Sequence, residues 1–197
     1  YDFILSSFNL IINNINFLIS PNSFIIKLVL MKNNFVHLHL HSQYSLLDGA
    51  IKFDELFQEV KRQEMPAVAL TDHGNLFGAY EFYKKAKANK IKPIIGCEVY
   101  ITNDFTKKTP ENNRTHHLTV LAMDMDGYQN LCSLVSIGYL KGFYRKQRID
   151  KEILFERNSG VIVLSGCLNG EVCHNILKNK KEEAIRIASE YKNTFGD

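Results

Sequence analysis

Three histidines, His37, His39 and His41, alternate with Leu38 and Leu40. At the two-residue period of a strand they share one face. Neutral imidazoles presented together are good ligands for borderline metal ions. Asp48-Gly49 follows on the next loop and offers a carboxylate that can swing back to the same ion. A lone His-x-His is ordinary on a surface strand. What raises this one above the ordinary is that ligand-type residues recur along the chain.

Leu70-Thr71-Asp72-His73-Gly74 runs an apolar strand directly into Asp-His and a permissive glycine. That places His73 at a strand's C-terminal end, with Asp72 able to orient a histidine from behind. Without a ligand role, the same string is simply a turn, since its last residues are turn formers. Ile95-Gly96-Cys97-Glu98 puts a carboxylate inside an apolar run, which is costly to bury unless it is paired or bound to a metal. In His116-His117-Leu118, adjacent residues face opposite ways, so one of the two histidines points into any site. Leu164-Ser165-Gly166-Cys167-Leu168 ends another apolar run in a thiol; taken alone, a free cysteine is most often an inert hydrophobe. Imidazole, carboxylate and thiolate together suit Zn²⁺ or Mn²⁺. There are more ligands than one ion needs, which points to a multinuclear site able to activate water.

These residues need elements to hold them. Phe35–Leu40 reads as a strand. Phe53, Leu56, Phe57 and Val60 recur on one helical face, and Pro66 closes that helix before the buried strand Ala67–Leu70. A helix around Ala79–Ala86 follows, then the strand Pro93–Ile101, a polar loop from Thr102 to Thr115 and the strand His117–Met123. A helix through Tyr128, Leu131, Leu134 and Val135 leads to a basic, irregular stretch, Lys141–Asp150. The strand Val161–Leu164 and helices near Val172–Leu177 and Ala184–Tyr191 complete the chain. Alternating strands and helices, with nearly continuous apolar strands, predict an α/β fold with a parallel sheet covered by helices. A doubly wound sheet and a barrel both fit. A barrel collects its chemistry at the C-terminal strand ends, where the unusual residues fall here.

The chain has 197 residues, 45% of them hydrophobic and 23% charged. This excludes wholesale disorder and low-complexity sequence and supplies enough core without disulfides. Lys and Arg number 24 against 21 Asp and Glu, a net charge of +3, so any nucleic-acid footprint must be local. Cys97, Cys132, Cys167 and Cys173 form no C-x-x-C pair and read as reduced thiols of a cytoplasmic protein. Residues 1–30 stand apart, with Asp2 and Lys27 as their only charges and Ile, Leu, Phe and Asn dominating. Asn9, Asn13, Asn14 and Asn16 argue against a membrane span, and a signal peptide would need a basic start. The expectation is that residues 1–30 are a non-native or upstream leader and that the domain occupies 31–197 from Met31.

His39-Leu40-His41, Asp48-Gly49, Thr71-Asp72-His73-Gly74, Gly96-Cys97-Glu98 and Ser165-Gly166-Cys167-Leu168 resemble the PHP (polymerase and histidinol phosphatase) superfamily. Three longer strings narrow the likeness: Phe35 to Gly49, Thr71 to Ala79, and His117–Ala122 with Gly127–Leu131. They resemble the opening domain of the bacterial replicative DNA polymerase III alpha subunits. The resemblance implies a distorted (β/α)7 PHP barrel. It also implies a cleft of two or three divalent ions, Zn or Mn, ligated by His39, His41, Asp48, His73, Glu98, His117 and Cys167, with Asp72 and His37 supporting them. The family's late Asp-x-His pair has no counterpart near the C-terminus. The sequence ends at Phe195-Gly196-Asp197, near what resembles the middle of the domain. The expectation is therefore a barrel truncated at its C-terminus with an incomplete metal site, the N-terminal fragment of a longer protein whose polymerase domains lie elsewhere.

By the same resemblance, the full-length chain is a DNA-directed DNA polymerase acting in replication. Its partners are DNA, deoxynucleoside triphosphates and other replicase subunits such as the sliding clamp, with no membrane. The PHP site implies 3′–5′ exonuclease or phosphoesterase activity. Two other readings compete: a stand-alone phosphatase of the histidinol-phosphate type, and a domain whose metals only hold the fold. Within Lys141-Gly-Phe-Tyr-Arg-Lys-Gln-Arg148, basic residues interleave with aromatics. Lys141, Arg145, Lys146 and Arg148 are therefore candidate contacts to a phosphate backbone or single-stranded DNA; a solvated loop is the alternative.

Overall fold

The computed structural model describes residues 35–110 and 112–196; the expectation for residues 1–30 lies outside them. Helix α1 (Phe53–Arg62) buries Phe53, Leu56, Phe57 and Val60, the face read from the sequence. It leads into β1 (Ala67–Leu70), buried at every position. Helix α2 (Ala79–Ala88) turns Phe82 and Ala86 into the same core. Strand β2 (Lys92–Ile101) and strand β3 (His116–Ala122) follow, then α3 (Met125–Leu140), whose N-cap Asp124 accepts the Gly127 N–H. A short helix α4 (Lys151–Glu156), strand β4 (Val161–Leu164), α5 (Glu171–Leu177) and α6 (Lys181–Phe195) complete the order.

The four strands form one sheet in the order β1-β2-β3-β4. Only β1 and β2 are parallel; β2–β3 and β3–β4 are antiparallel. The expected all-parallel sheet is thus a mixed one, and the four strands do not by themselves make a closed barrel. The reason lies in the connections. A parallel crossover needs a return leg, usually a helix. Among the described residues between Ile101 and His116 there is no helix, so β3 returns alongside β2. Between β3 and β4 there are two helical legs, α3 and α4, rather than one, so the chain reverses again.

Two buried cores result. Leu40, Phe53, Phe57, Val60, Val68, Leu70 and Phe82 pack on the β1 side. Val99, Ile101, Leu118, Val120, Leu131, Leu134, Leu154 and Val161 pack under β2–β4.

The segment 35–40 does not form the ladder strand expected of it. It runs beside β1, with Ala69 N–H donating to His37 O and Thr71 N–H to Leu40 O, both at 2.9 Å. The Leu40 N–H, however, is taken by the Thr71 hydroxyl at 2.8 Å, and that hydroxyl returns its proton to Leu40 O. A side chain thus replaces a ladder bond, while the chain stays extended and its alternation survives.

Candidate metal centre

Every strand delivers its ligand-type residue to one edge of the sheet. β1 continues past Leu70 into Thr71-Asp72-His73, and His73 bridges to Glu98 of β2, with Gly74 N–H on Glu98 O at 2.8 Å. β3 runs antiparallel to β2, which sets His117 opposite Tyr100. β4 is antiparallel to β3, so its exit, Ser165-Gly166-Cys167, reaches the same edge. Two glycines are needed here. Gly74 has φ +57°, and a Cβ on it would meet Gln147 Nε2 at 1.4 Å. Gly166 has φ +80°, and a Cβ there would meet His117 O at 2.5 Å. Only glycine takes such conformations without cost.

Glu98 is the centre of the arrangement. Its side chain is 2% exposed, yet it receives four imidazoles. Oε2 faces His39 Nε2 at 2.8 Å and His41 Nε2 at 3.5 Å. Oε1 faces His73 Nδ1 at 2.8 Å and His117 Nδ1 at 3.0 Å. Burial alone would push this carboxyl's pKa up; the hydrogen bonds from His117, His39, His41 and His73 outweigh that and hold it far below the ordinary carboxylate range. His73 is shifted upward, chiefly by its hydrogen bond to Glu98. The ligand atoms of His39, His41 and Glu98 lie within 4.8 Å of one another.

The remaining candidates attach to this core. Asp48 Oδ2 meets His73 Nε2 at 3.1 Å, and Cys167 Sγ lies 3.8 Å from His117 Nδ1. All seven carried-over positions are therefore contiguous. Of the adjacent histidines it is His117 that enters; His116 turns to Asn169 O and the His174 ring. Cys97, one residue from Glu98, is on the opposite face and fully buried, and its thiol pKa is pushed up by that burial, so it is inert.

The supporting residues differ from the expectation. His37 stands apart from the cluster, its ring edge-on to Phe35 at 4.8 Å. Asp72, 1% exposed, accepts no hydrogen bond from a histidine side chain among the described residues. It accepts from Ser42 N–H (2.6 Å), Ser42 Oγ (2.8 Å) and Ser45 Oγ (2.7 Å). Ser45 does the orienting. With its proton donated to Asp72, its oxygen accepts the His73 N–H at 3.1 Å and faces His41 Nδ1 at 3.3 Å. Ser45 thereby meets the His41 ring at its Nδ1 edge, with Nε2 turned toward Glu98 Oε2 and His39 Nε2.

Sequence reasoning missed Ser45 and also Tyr100. The Tyr100 hydroxyl lies 3.1 Å from His73 Nδ1. The signal for Tyr100 was its spacing: two residues after Glu98 in a strand, it shares the Glu98 face.

Arg148 is a correction. It is 1% exposed, and its guanidinium donates to the carbonyls of Gly142, Asn112, Phe105 and Lys107 at 2.8–3.3 Å. It clamps the β2–β3 connection and is closed to a phosphate. Lys141 and Arg145 are exposed, and Lys146 lies over the Tyr100 ring at 4.2 Å. Asp48, His73, Tyr100, His117, Arg145 and Lys146 line one cleft of about 480 Å³.

The family model for the PHP domain matches residues 37–197. The chain is 51% identical over 172 residues to the DNA polymerase III subunit alpha of Thermus aquaticus, a match covering 84% of this chain and 14% of that protein. It is 47% identical over 175 residues to the protein of the same description from Aquifex aeolicus, covering 85% and 15%. The chain thus spans about one-seventh of the length of the curated relatives it matches. Among solved structures, an amidohydrolase from Chromobacterium violaceum aligns with a TM-score of 0.36 at 25% identity, covering 50% of this chain and 32% of that one, too partial a likeness to define the fold. No described helix is long and apolar enough to cross a membrane.

Proposed function

The chain belongs to the PHP domain family, and on that premise we propose that it is the N-terminal PHP domain of a bacterial replicative DNA polymerase, with a cleft that binds divalent ions and cleaves phosphodiesters at a strand's 3′ end. The single observation that carries the reading is Glu98. One buried carboxylate presents one oxygen to His39 and His41 and the other to His73 and His117. His39, His41 and Glu98, whose ligand atoms lie within 4.8 Å of one another, would hold an ion, with His73 and His117 beside the other oxygen of the same carboxylate. Asp48 and Cys167 extend the set at its two ends. The donor set is nitrogen-rich with carboxylate and thiolate, which favours Zn²⁺ or Mn²⁺. A distorted (β/α)7 barrel is the architecture that goes with this reading, supported by the family match.

Bound ions would supply a water of lowered pKa and a Lewis acid for the phosphoryl oxygen. The chain's own residues do the rest. Ser45 holds the ring of His41 by its Nδ1 edge. Asp48 fixes the outer nitrogen of His73. Lys146 and Arg145 set positive charge on the cleft wall for the non-reacting phosphate oxygens. DNA synthesis, deoxynucleoside triphosphate use and contacts with the clamp belong to the rest of a polymerase chain on this reading, and DNA is the shared substrate.

Elemental analysis of the full-length protein tests the proposal. Two or three equivalents of Zn or Mn are expected, falling in His41→Ala together with release of 3′ nucleotides. A metal-free protein with unchanged function overturns it.

A further inference from the structure

Beside the metal cleft lie three large aromatic side chains that the fold does not bury. Phe77 is 64% exposed, Tyr139 38% and Phe143 48%. They form a row: the Phe77 and Tyr139 rings lie 6.4 Å apart, and Tyr139 and Phe143 lie 6.3 Å apart with planes inclined by only 19°. Their positions are held from behind. The Asn75 side chain accepts the Phe77 N–H at 3.0 Å and donates to the Tyr44 and His73 carbonyls. Tyr139 sits on the last turn of α3, and Phe143 follows that helix end. Phe77 and Tyr139 line the same cleft as His73 and His117, so the row opens into the metal site without a break.

Cations border the row. Arg145 is in the left-handed region at φ +64°, a conformation that costs a non-glycine residue energy and is worth a functional explanation. Tyr144 N–H closes this tight turn on Lys146 O at 3.0 Å, and Arg145, exposed at its apex, has its guanidinium 5.9 Å from the Tyr144 ring centroid. Lys146 lies over Tyr100 beside His73.

Flat apolar faces next to fixed positive charge, continuous with a phosphodiester-cleaving site, match one ligand chemistry: an unpaired nucleic-acid strand, bases on the rings and phosphates on the cations. A duplex cannot use the row, because its bases already stack on one another.

Resting on the phosphodiesterase reading above, we propose that Phe77, Tyr139 and Phe143 form a base-stacking platform that selects an unpaired strand end and feeds it, with Arg145 and Lys146 on its phosphates, into the metal cleft. A frayed 3′ terminus is thereby distinguished from a paired one before any chemistry.

The test is metal-free binding, so its failure is separable from failure of the hydrolytic reading. In EDTA, fluorescence anisotropy of the intact chain with a labelled oligodeoxythymidylate is compared with an abasic strand of equal length and with a duplex. Each stacked base is worth about 5- to 150-fold in affinity, so the abasic strand and the duplex should bind at least tenfold more weakly. Phe77→Leu and Phe143→Leu, which keep an apolar side chain but lose the ring, should each weaken thymidylate binding about fivefold or more, while Phe77→Trp preserves it. Arg145→Ala should lower the slope of log affinity against log salt by about 0.7, and the Leu variants should leave that slope unchanged. Equal affinity for base-bearing and abasic strands, or no loss in both Leu variants with unchanged melting, overturns the platform. Ion-dependent turnover of bis(p-nitrophenyl) phosphate by the full-length protein, a diester too small to span the row, reports separately on the metal cleft.

Discussion

Replacing Glu98 with glutamine removes one negative charge and almost no volume from the centre of the cluster. The carboxylate is 2% exposed and faces four imidazole nitrogens at 2.8–3.5 Å, two on each oxygen. The amide keeps one acceptor oxygen and turns the other position into a donor. One histidine pair therefore keeps a neutral acceptor, and the other loses its acceptor altogether. A charge-assisted contact of this kind is worth about 1.5–3 kcal/mol, so each ion that depended on Glu98 should bind about 10- to 150-fold more weakly. The pair that now faces the NH₂ group should sit at the weak end of that range. Competition with a chromophoric chelator measures the affinities, and elemental analysis after gel filtration measures the stoichiometry. A second readout is independent of metal: without ions, the His73 pKa should fall relative to the wild type, because the Glu98 hydrogen bond is the leading cause of its upward shift. Histidine proton resonances followed against pH would show it. A folded Glu98→Gln protein with wild-type stoichiometry and affinity would refute the assignment of Glu98 as a ligand.

Three further outcomes are expected. In the metal-free protein the cluster should contribute most stability between about pH 4.5 and 6.5: Glu98 is depressed from an ordinary 4.5, so its share is lost as pH falls, and His73 is raised from 6.5, so its share is full below that value and lost as pH rises through the folded pKa. Urea unfolding in EDTA at pH 4, 5.5 and 8 checks this, and a steady rise to pH 8 would contradict it. Gly74→Ala should destabilise by about 1–2 kcal/mol through its φ of +57° alone, with more from the Gln147 clash, and Gln147→Ala should recover only that second part in thermal melts. Arg148→Ala removes a donor from four carbonyls, leaving those of Gly142 and Phe105 without a side-chain donor among the described residues while Asn112 O keeps Thr102 and Lys107 O keeps Asn112, and should cost about 3 kcal/mol, whereas exposed Arg145→Ala should change the unfolding free energy by less than about 0.5 kcal/mol; equal effects would contradict the clamp.

The helices were legible because their buried faces repeat. Phe53, Leu56, Phe57 and Val60 are enough to place α1. Helix α4 was not legible, since six residues are too few to show a period. Its only local signal is the N-cap: Asp150 accepts the Ile153 N–H at 3.1 Å. That omission carried a topological consequence, because a single helix between β3 and β4 suggests a parallel pair. The ligand types at the strand ends were legible one motif at a time, but their convergence on a single carboxylate was not. It depends on β3 running antiparallel, which brings His117, near its start, to the edge where β1 and β2 deliver His73 and Glu98. Charge alone misled at Arg148, whose environment is set by carbonyls 36 to 43 residues earlier in the chain, at Asn112 and Phe105. Arg145 and Arg148 look equivalent in a basic stretch, and only tertiary structure separates an exposed cation from a buried clamp.

On the metal-binding reading, the buried carboxylate also ties the fold to the ions. Glu98 must be compensated wherever it is out of water. Below the His73 pKa a proton on that ring does this, and His73 is shifted in that direction. As pH rises through the His73 pKa that charge is lost, and divalent ions are the compensation that remains. Ion binding must therefore release protons, and it must stabilise the domain most where the metal-free cluster is weakest. A ligand variant consequently disturbs stability and hydrolysis together, so activity loss in His41→Ala or Glu98→Gln cannot by itself separate a scaffold role from a catalytic one. The separation has to come from residues that touch the cleft without compensating Glu98. Arg145 is such a residue: exposed, on its own turn, and lining the cleft. If its removal slows release of 3′ nucleotides while ion content and melting stay at wild-type values, the ions serve chemistry as well as the fold.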